Sequence, residues 1–291
     1  MKTVFVEEPN KKVYYLVVAI AVLSAIAAAV SLFYNPDVNV GQKVKTISGQ
    51  TIQLYGRGIY HNDSLSMAVQ AKGQDLVTLF LGVPFLTYSL YLSGKDSLKG
   101  SFYLTGTLAY FLYSYTIYCF SGNLNSFFII YVTITGLSFF AFVSCMISFN
   151  FGEMKEAFTT KLPIGYLGIS NIVFALLIGM NWLSRLKAPA SYAYLEHYTT
   201  FPIQAIDLGF VLPAIIFSSV MLIRRQNWGY FLIPIMTMKI LTLLIALDAM
   251  ILFMYLNKVE VSLIEIIIFP LYTLIVIFNF YLIQKNLNYK S

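Results

Sequence analysis

Residues 228–255 read WGYFLIPIMTMKILTLLIALDAMILFMY. The run exceeds the roughly 20 apolar residues that cross a bilayer core. It holds a single cation, Lys239. At about 1.5 Å per residue, Lys239 lies roughly 16 Å along from Trp228, too deep for its side chain to reach either interface. No other Lys or Arg of the chain is placed this way. A cation facing lipid at that depth costs about 2.5 kcal/mol or more, so an intramembrane ionisable residue is first read as functional.

The composition around this segment points the same way. The 291 residues are 58% hydrophobic and 11% charged, with a mean hydropathy of +0.74. Soluble domains carry about 25% charged residues, and no soluble core absorbs this much apolar surface. The net charge of +6 is spread over short loops between apolar runs. It forms no basic stripe of the kind a phosphate backbone requires, so nucleic acid is not an expected partner.

Eight apolar runs are countable, at 13–33, 75–94, 100–120, 126–148, 164–184, 203–223, 229–256 and 261–284. They are too long and too uniformly apolar for barrel strands. The expected fold is all-α: one polytopic transmembrane bundle of about eight helices spanning 1–291. The first run has membrane length, with no clear small-residue cleavage site after it, and reads as a transmembrane helix rather than a signal peptide.

Orientation follows from Lys and Arg in the short loops. With both termini inside, Lys95, Lys99, Lys155, Lys161, Arg224 and Arg225 are internal. The short outer loops then hold only Arg185, Lys187 and Lys258. The expected location is the cell (inner) membrane, multi-pass, with cytoplasmic termini. The outer loop 34–73 carries Val44, Thr46, Thr51, Gln53 and Tyr55 in short alternating segments around Ser48-Gly49, a β-hairpin signal.

The two halves, 13–148 and 164–284, share a direction of travel. A gapless offset of 129 residues lays Pro84 on Pro213, Ser89 on Ser218, Lys95 on Arg224 and Gly100 on Gly229. It also lays Tyr110 on Lys239. A 4+4 repeat of this kind is a common transporter plan, with the repeats related by an axis along the membrane normal.

Four acids fall in the outer half by depth: Asp75 opening helix two, Asp207 one turn into helix six, Asp248 in helix seven and Glu265 starting helix eight. Lys239 and Asp248 are nine residues apart, which puts them on opposite helix faces. Asp207 is the better partner for Lys239, because helices six and seven are joined by a short loop. The functional reading is an acidic vestibule ending at the Lys, coupling a proton or cation to solute movement. The structural reading is a buried ion pair plus acids at helix N-termini, where the dipole favours a carboxylate. Those two readings weigh equally for Lys239 and Asp207, whereas Asp75, Asp248 and Glu265 lean to the structural one. Helix three presents Tyr103 and Tyr110 on one face with Tyr113 close to it. Such a pocket suits a ring or a cation, although ordinary packing explains it more simply.

The candidate ligand- or ion-coupling residues are therefore Lys239, Asp207, Asp75, Tyr110 and Asp248. No catalytic residue, cofactor or metal is expected. His61 and His197 lack ligand spacing, Cys119 and Cys145 are expected near opposite faces, and no phosphate loop, nucleophile elbow or dinucleotide fingerprint occurs. A retinal Schiff base on Lys239 is disfavoured by the helix count and by the presence of only two Trp.

The run Gly73-Gln74-Asp75-Leu76-Val77-Thr78-Leu79, the run Tyr110-Phe111-Leu112-Tyr113-Ser114-Tyr115, and the surroundings of Asp207, Pro213, Gly229 and Lys239 resemble a family of uncharacterised polytopic prokaryotic integral membrane proteins. The resemblance spans helix two to helix seven. It implies an integral membrane protein and no particular activity. Where the familiar pattern has Asn-Pro after helix three, this chain has Asn125-Ser126. The first expectation is thus a bilayer protein that binds or transports a small solute or ion. A sensor or assembly subunit using the outer loop is the alternative. A lipid-modifying enzyme ranks last for want of a nucleophile and base. The sequence does not set the oligomeric state.

Overall fold

The computed structural model describes residues 5–6, 11–46, 48–95, 97–187 and 194–288. Among these, eight helical spans build an all-α bundle: α1 Lys11–Phe33, α2 Leu65–Ser93, α3 Leu98–Ser121, α4 Phe128–Ile147, α5 Ile164–Arg185, α6 Pro202–Ile223, α7 Asn227–Leu256 and α8 Leu263–Asn286. All but α3 are both long and apolar enough to cross a membrane. The exception has a physical reason. Ser101, Thr105, Thr107, Tyr110 and Ser114 of α3 are buried, and α2, α4 and α7 pack around it. A helix covered by protein can be polar where lipid would forbid it.

α1 packs on α2 and α4, and α3 packs on the same two. In the other half α6 packs on α5 and α7, and α7 on α8. Asn279 of α8 donates to the Ser170 hydroxyl of α5 at 3.1 Å, which closes that group. α7 crosses both halves, touching α2, α3, α6 and α8. Close crossing requires small residues. A Cβ on Gly73 would stand 2.7 Å from the Met250 Cα, and one on Gly106 would stand 2.9 Å from the Ile235 carbonyl oxygen.

α2 begins ten residues earlier than the hydropathy pattern placed it. The Ser64 hydroxyl caps it by accepting from the Met67 N–H at 3.1 Å. Ala68, Val69 and Ala71 are buried, so this stretch folds against protein and does not need the apolarity that marks a lipid-facing span. Asp75 consequently sits well inside a helix rather than at its start. The helix-dipole account of Asp75 is therefore wrong, and side chains must hold it instead.

The expected hairpin is present: β1 (Lys43–Lys45) pairs antiparallel with β2 (Thr51–Gln53), with Val44 opposite Ile52. Gly49 turns it with a φ of 82°. At this end the loops tie together through Asp63, which is 2% exposed. It accepts from the Asn123 backbone N–H at 2.8 Å and the Tyr198 hydroxyl at 3.0 Å. The Asn123 amide also meets the His197 ring at 2.7 Å. The segment 188–193 lies outside the described residues.

Desolvation raises the Asp63 carboxyl above its ordinary value, against the lowering effect of its Asn123 and Tyr198 hydrogen bonds and of His197. A carboxyl raised on folding favours the fold fully below its unfolded value near 3.9, and that gain is lost as pH rises through the folded value. Hydrogen exchange at Asn123 and Ser64 is thus expected to quicken as pH climbs through that window, after correction for intrinsic chemistry. The substitution Asp63→Asn should flatten the dependence. An unchanged pH profile in that variant would remove Asp63 as its source.

At the opposite end, a 3₁₀ turn at Phe151–Ala157 packs on the start of α7. Asn227 accepts the Lys155 N–H at 3.0 Å and donates to the Gly152 carbonyl. The α6–α7 turn depends on Gly229, where an added Cβ would fall 2.5 Å from the Met221 carbonyl carbon. Backbone cannot yield there as a side chain would. Gly229→Ala should cost about 2 kcal/mol, read as a lowered thermal midpoint in detergent. A midpoint equal to the parent's would contradict the packing.

Candidate functional site

Lys239 is 3% exposed, and its Nζ has no hydrogen-bond partner among the described residues. It stands 4.1 Å above the ring of Tyr113 from α3, a cation–π contact whose worth rises when it is desolvated. The charge that acts on it is Asp207 of α6. The two are not in ion-pair contact. Asp207 Oδ2 instead accepts from the Trp182 indole of α5 at 2.9 Å. Its Oδ1 has no direct hydrogen bond, and the Tyr113 hydroxyl stands beside the carboxylate.

Four helices thus converge, each supplying one group. α7 brings the ammonium, α6 the carboxylate, α3 the phenol and α5 the indole. The local backbone helps to aim Asp207. It opens a π-turn, Asp207–Val211, which ends two residues before Pro213. A proline ring clashes with the carbonyl four residues back in a regular α-helix, and the wider turn relieves that clash. π-turns recur at functional sites because they redirect side chains.

Asp75 belongs to a separate cluster. It is 2% exposed and accepts from three hydroxyls: Ser31 of α1, Tyr60 at 2.8 Å and Tyr118 at 2.9 Å. Tyr110 is bound to neither Lys239 nor Asp75. It accepts from the Gln74 amide at 2.5 Å and meets the Thr78 hydroxyl at 3.0 Å. Asp248 accepts from Thr273 of α8 at 2.7 Å. Glu265 pairs with Arg185 and completes a capping box with Ser262. The four acids are therefore held by four different sets of partners and do not line one vestibule. A small pocket of about 150 Å³ lies elsewhere, between α3 and α4 at the hairpin end, lined by Tyr118, Asn123 and Tyr131 among others.

Sequence reading placed Lys239 and Asp207 in adjacent helices, where the structure has them. It missed Trp182 as a partner and gave Tyr113 only a subsidiary place. Trp182 carried no usable signal, because an indole near a helix end is ordinary interfacial dressing. Tyr113 did carry one, lying one helical turn beyond Tyr110. No family model, curated protein or solved structure matches the chain.

Proposed function

We propose that this is a membrane transporter or binding protein for a small solute bearing an anionic group, and that Lys239 is the group that receives it. One observation carries the reading. An ammonium is buried among α3, α6 and α7 with an aromatic ring on one side, a carboxylate near enough to act on it, and no hydrogen-bond acceptor. Burying a charge without such a partner is costly. A carboxylate or similar anion entering the site would supply the missing acceptor. Asp207 is the nearby counter-charge to Lys239, and its Oδ1, which has no direct hydrogen bond, suits a cationic group on the same solute.

The distribution of basic residues supports an orientation with the hairpin end outside. Lys95, Lys99, Lys155, Lys161, Arg224 and Arg225 lie at the other end, whereas the short connections at the hairpin end contribute Arg185, Lys187 and Lys258. Cytoplasmic termini follow from the excess of positive charge that inner loops carry.

Trp182 is a built-in reporter, since its indole donates to Asp207. With Trp228→Phe it becomes the only tryptophan of the chain. Titrating that variant in nanodiscs with small carboxylates and amino acids should give a saturable change in emission for the matching class. Proteoliposomes should then accumulate the same compound. A flat response across anionic and zwitterionic solutes, with flat uptake, would overturn the reading.

A further inference from the structure

We infer that the chain is a tandem duplication of one four-helix unit, and that its two π-turns are matched hinges flanking a pseudo-twofold axis between α3 and α7. The sequence alone offered an offset of 129 residues on a few matches, such as Pro84 with Pro213. The backbone obeys the same offset without a gap. The first π-turn is Thr78–Gly82 and the second is Asp207–Val211. Regular helix resumes at Val83 and at Leu212, each with proline next. α3 starts at Leu98 and α7 at Asn227.

Packing repeats in the same register. A Cβ on Gly100 would fall 2.5 Å from the Leu92 carbonyl carbon, and one on Gly229 would fall 2.5 Å from that of Met221. Both the glycines and the atoms they touch are offset equivalents. Ser89 and Ser218 are both fully buried. The most telling contact is Gly106, which packs against Ile235. Those two residues are each other's equivalents, and a pseudo-twofold axis passing between α3 and α7 brings a residue against its own counterpart in this way.

One turn beyond that crossing, Tyr110 and Lys239 occupy equivalent positions. So do their partners: Thr78 meets Tyr110 at 3.0 Å, and Asp207 acts on Lys239. The same geometric slot is neutral and hydrogen-bonded in the first half. In the second it holds the Lys239 ammonium group, whose Nζ has no hydrogen-bond partner among the described residues. Each slot pairs the first residue of a π-turn with a residue beside the axis. A change at either slot is thereby transmitted to a turn whose backbone bonds span five residues, Val83 N–H to the Thr78 carbonyl and Leu212 N–H to that of Asp207. The use of these hinges in solute movement rests on the reading proposed above; the equivalence of the halves does not.

Hydrogen exchange on the intact protein in nanodiscs, without solute, tests this. The amides at 83 and 212 should exchange roughly tenfold faster than those in the helical turns either side, and by similar factors at the two sites. Pro84→Ala and Pro213→Ala should each slow exchange at their own turn. Protection equal to the flanking turns at both sites would remove the hinges. Opening at one site alone would remove the equivalence. Because no solute is present, either result stands whether or not the titration of Trp182 succeeds.

Discussion

Replacing Lys239 by Met is expected to abolish the proposed solute-dependent emission and uptake while the bundle stays folded. The methionine matches the stem of lysine and removes only the ammonium. In the parent that ammonium has no hydrogen-bond acceptor, so its loss breaks no hydrogen bond, but it forfeits the Tyr113 contact and the attraction of Asp207. Asp207 is then buried without its counter-charge, which costs stability, but it keeps the Trp182 hydrogen bond, so the loss should be smaller than that of Asp207→Leu. Asp207→Leu behaves differently. It strands the ammonium with no counter-charge and leaves the Trp182 N–H without an acceptor, which together should cost about 3 kcal/mol or more. Combining the two substitutions should recover much of that loss without restoring activity. Thermal unfolding in detergent with parallel uptake assays separates these outcomes. Uptake at the parent rate in Lys239→Met would end the proposed mechanism, and a double variant no more stable than Asp207→Leu would show that the two charges are not coupled.

The bundle was legible in the sequence because lipid leaves a plain record: a span facing hydrocarbon must be apolar along its length. Runs 13–33, 203–223 and 229–256 fall close to α1, α6 and α7 for that reason. Where protein replaces lipid, the record fades. The first turns of α2 carry Ser66, Gln70 and Lys72 and were read as loop, although Ser64 caps them and Gly73 lets α7 lie against them. The hairpin was legible through Gly49 and the alternation around it. In the site, Lys239 declared itself by being a charge where none belongs, and Asp207 by its depth in the neighbouring helix. The hydroxyls around Asp75 did not declare themselves. Ser31, Tyr60 and Tyr118 come from three distant segments, and each is ordinary in its own surroundings. Only the folded chain brings them to one carboxylate.

That cluster sets the second large effect. Asp75→Leu should destabilise the first half of the bundle by roughly 3 kcal/mol or more, because a buried hydroxyl left without a partner costs about 1–3 kcal/mol. Ser31, Tyr60 and Tyr118 all donate to this carboxylate. Tyr118 has a second acceptor in the Ala71 carbonyl at 3.1 Å, so the loss should concentrate on Ser31 and Tyr60, where α1 and the 3₁₀ turn at Gly58–Tyr60 meet α2. Exchange at those segments should rise before that of α6 and α7. The converse experiment separates a structural carboxylate from one that couples an ion. Ser31→Ala, Tyr60→Phe and Tyr118→Phe made together leave a buried carboxylate without its donors and should be worse than any one of them alone. Adding Asp75→Leu to those three should restore stability, since the whole polar set is then replaced by apolar groups. If Asp75 only holds the fold, solute uptake returns with that stability. A fully stable quadruple variant with no uptake would instead give Asp75 a part in the proposed transport beside Lys239.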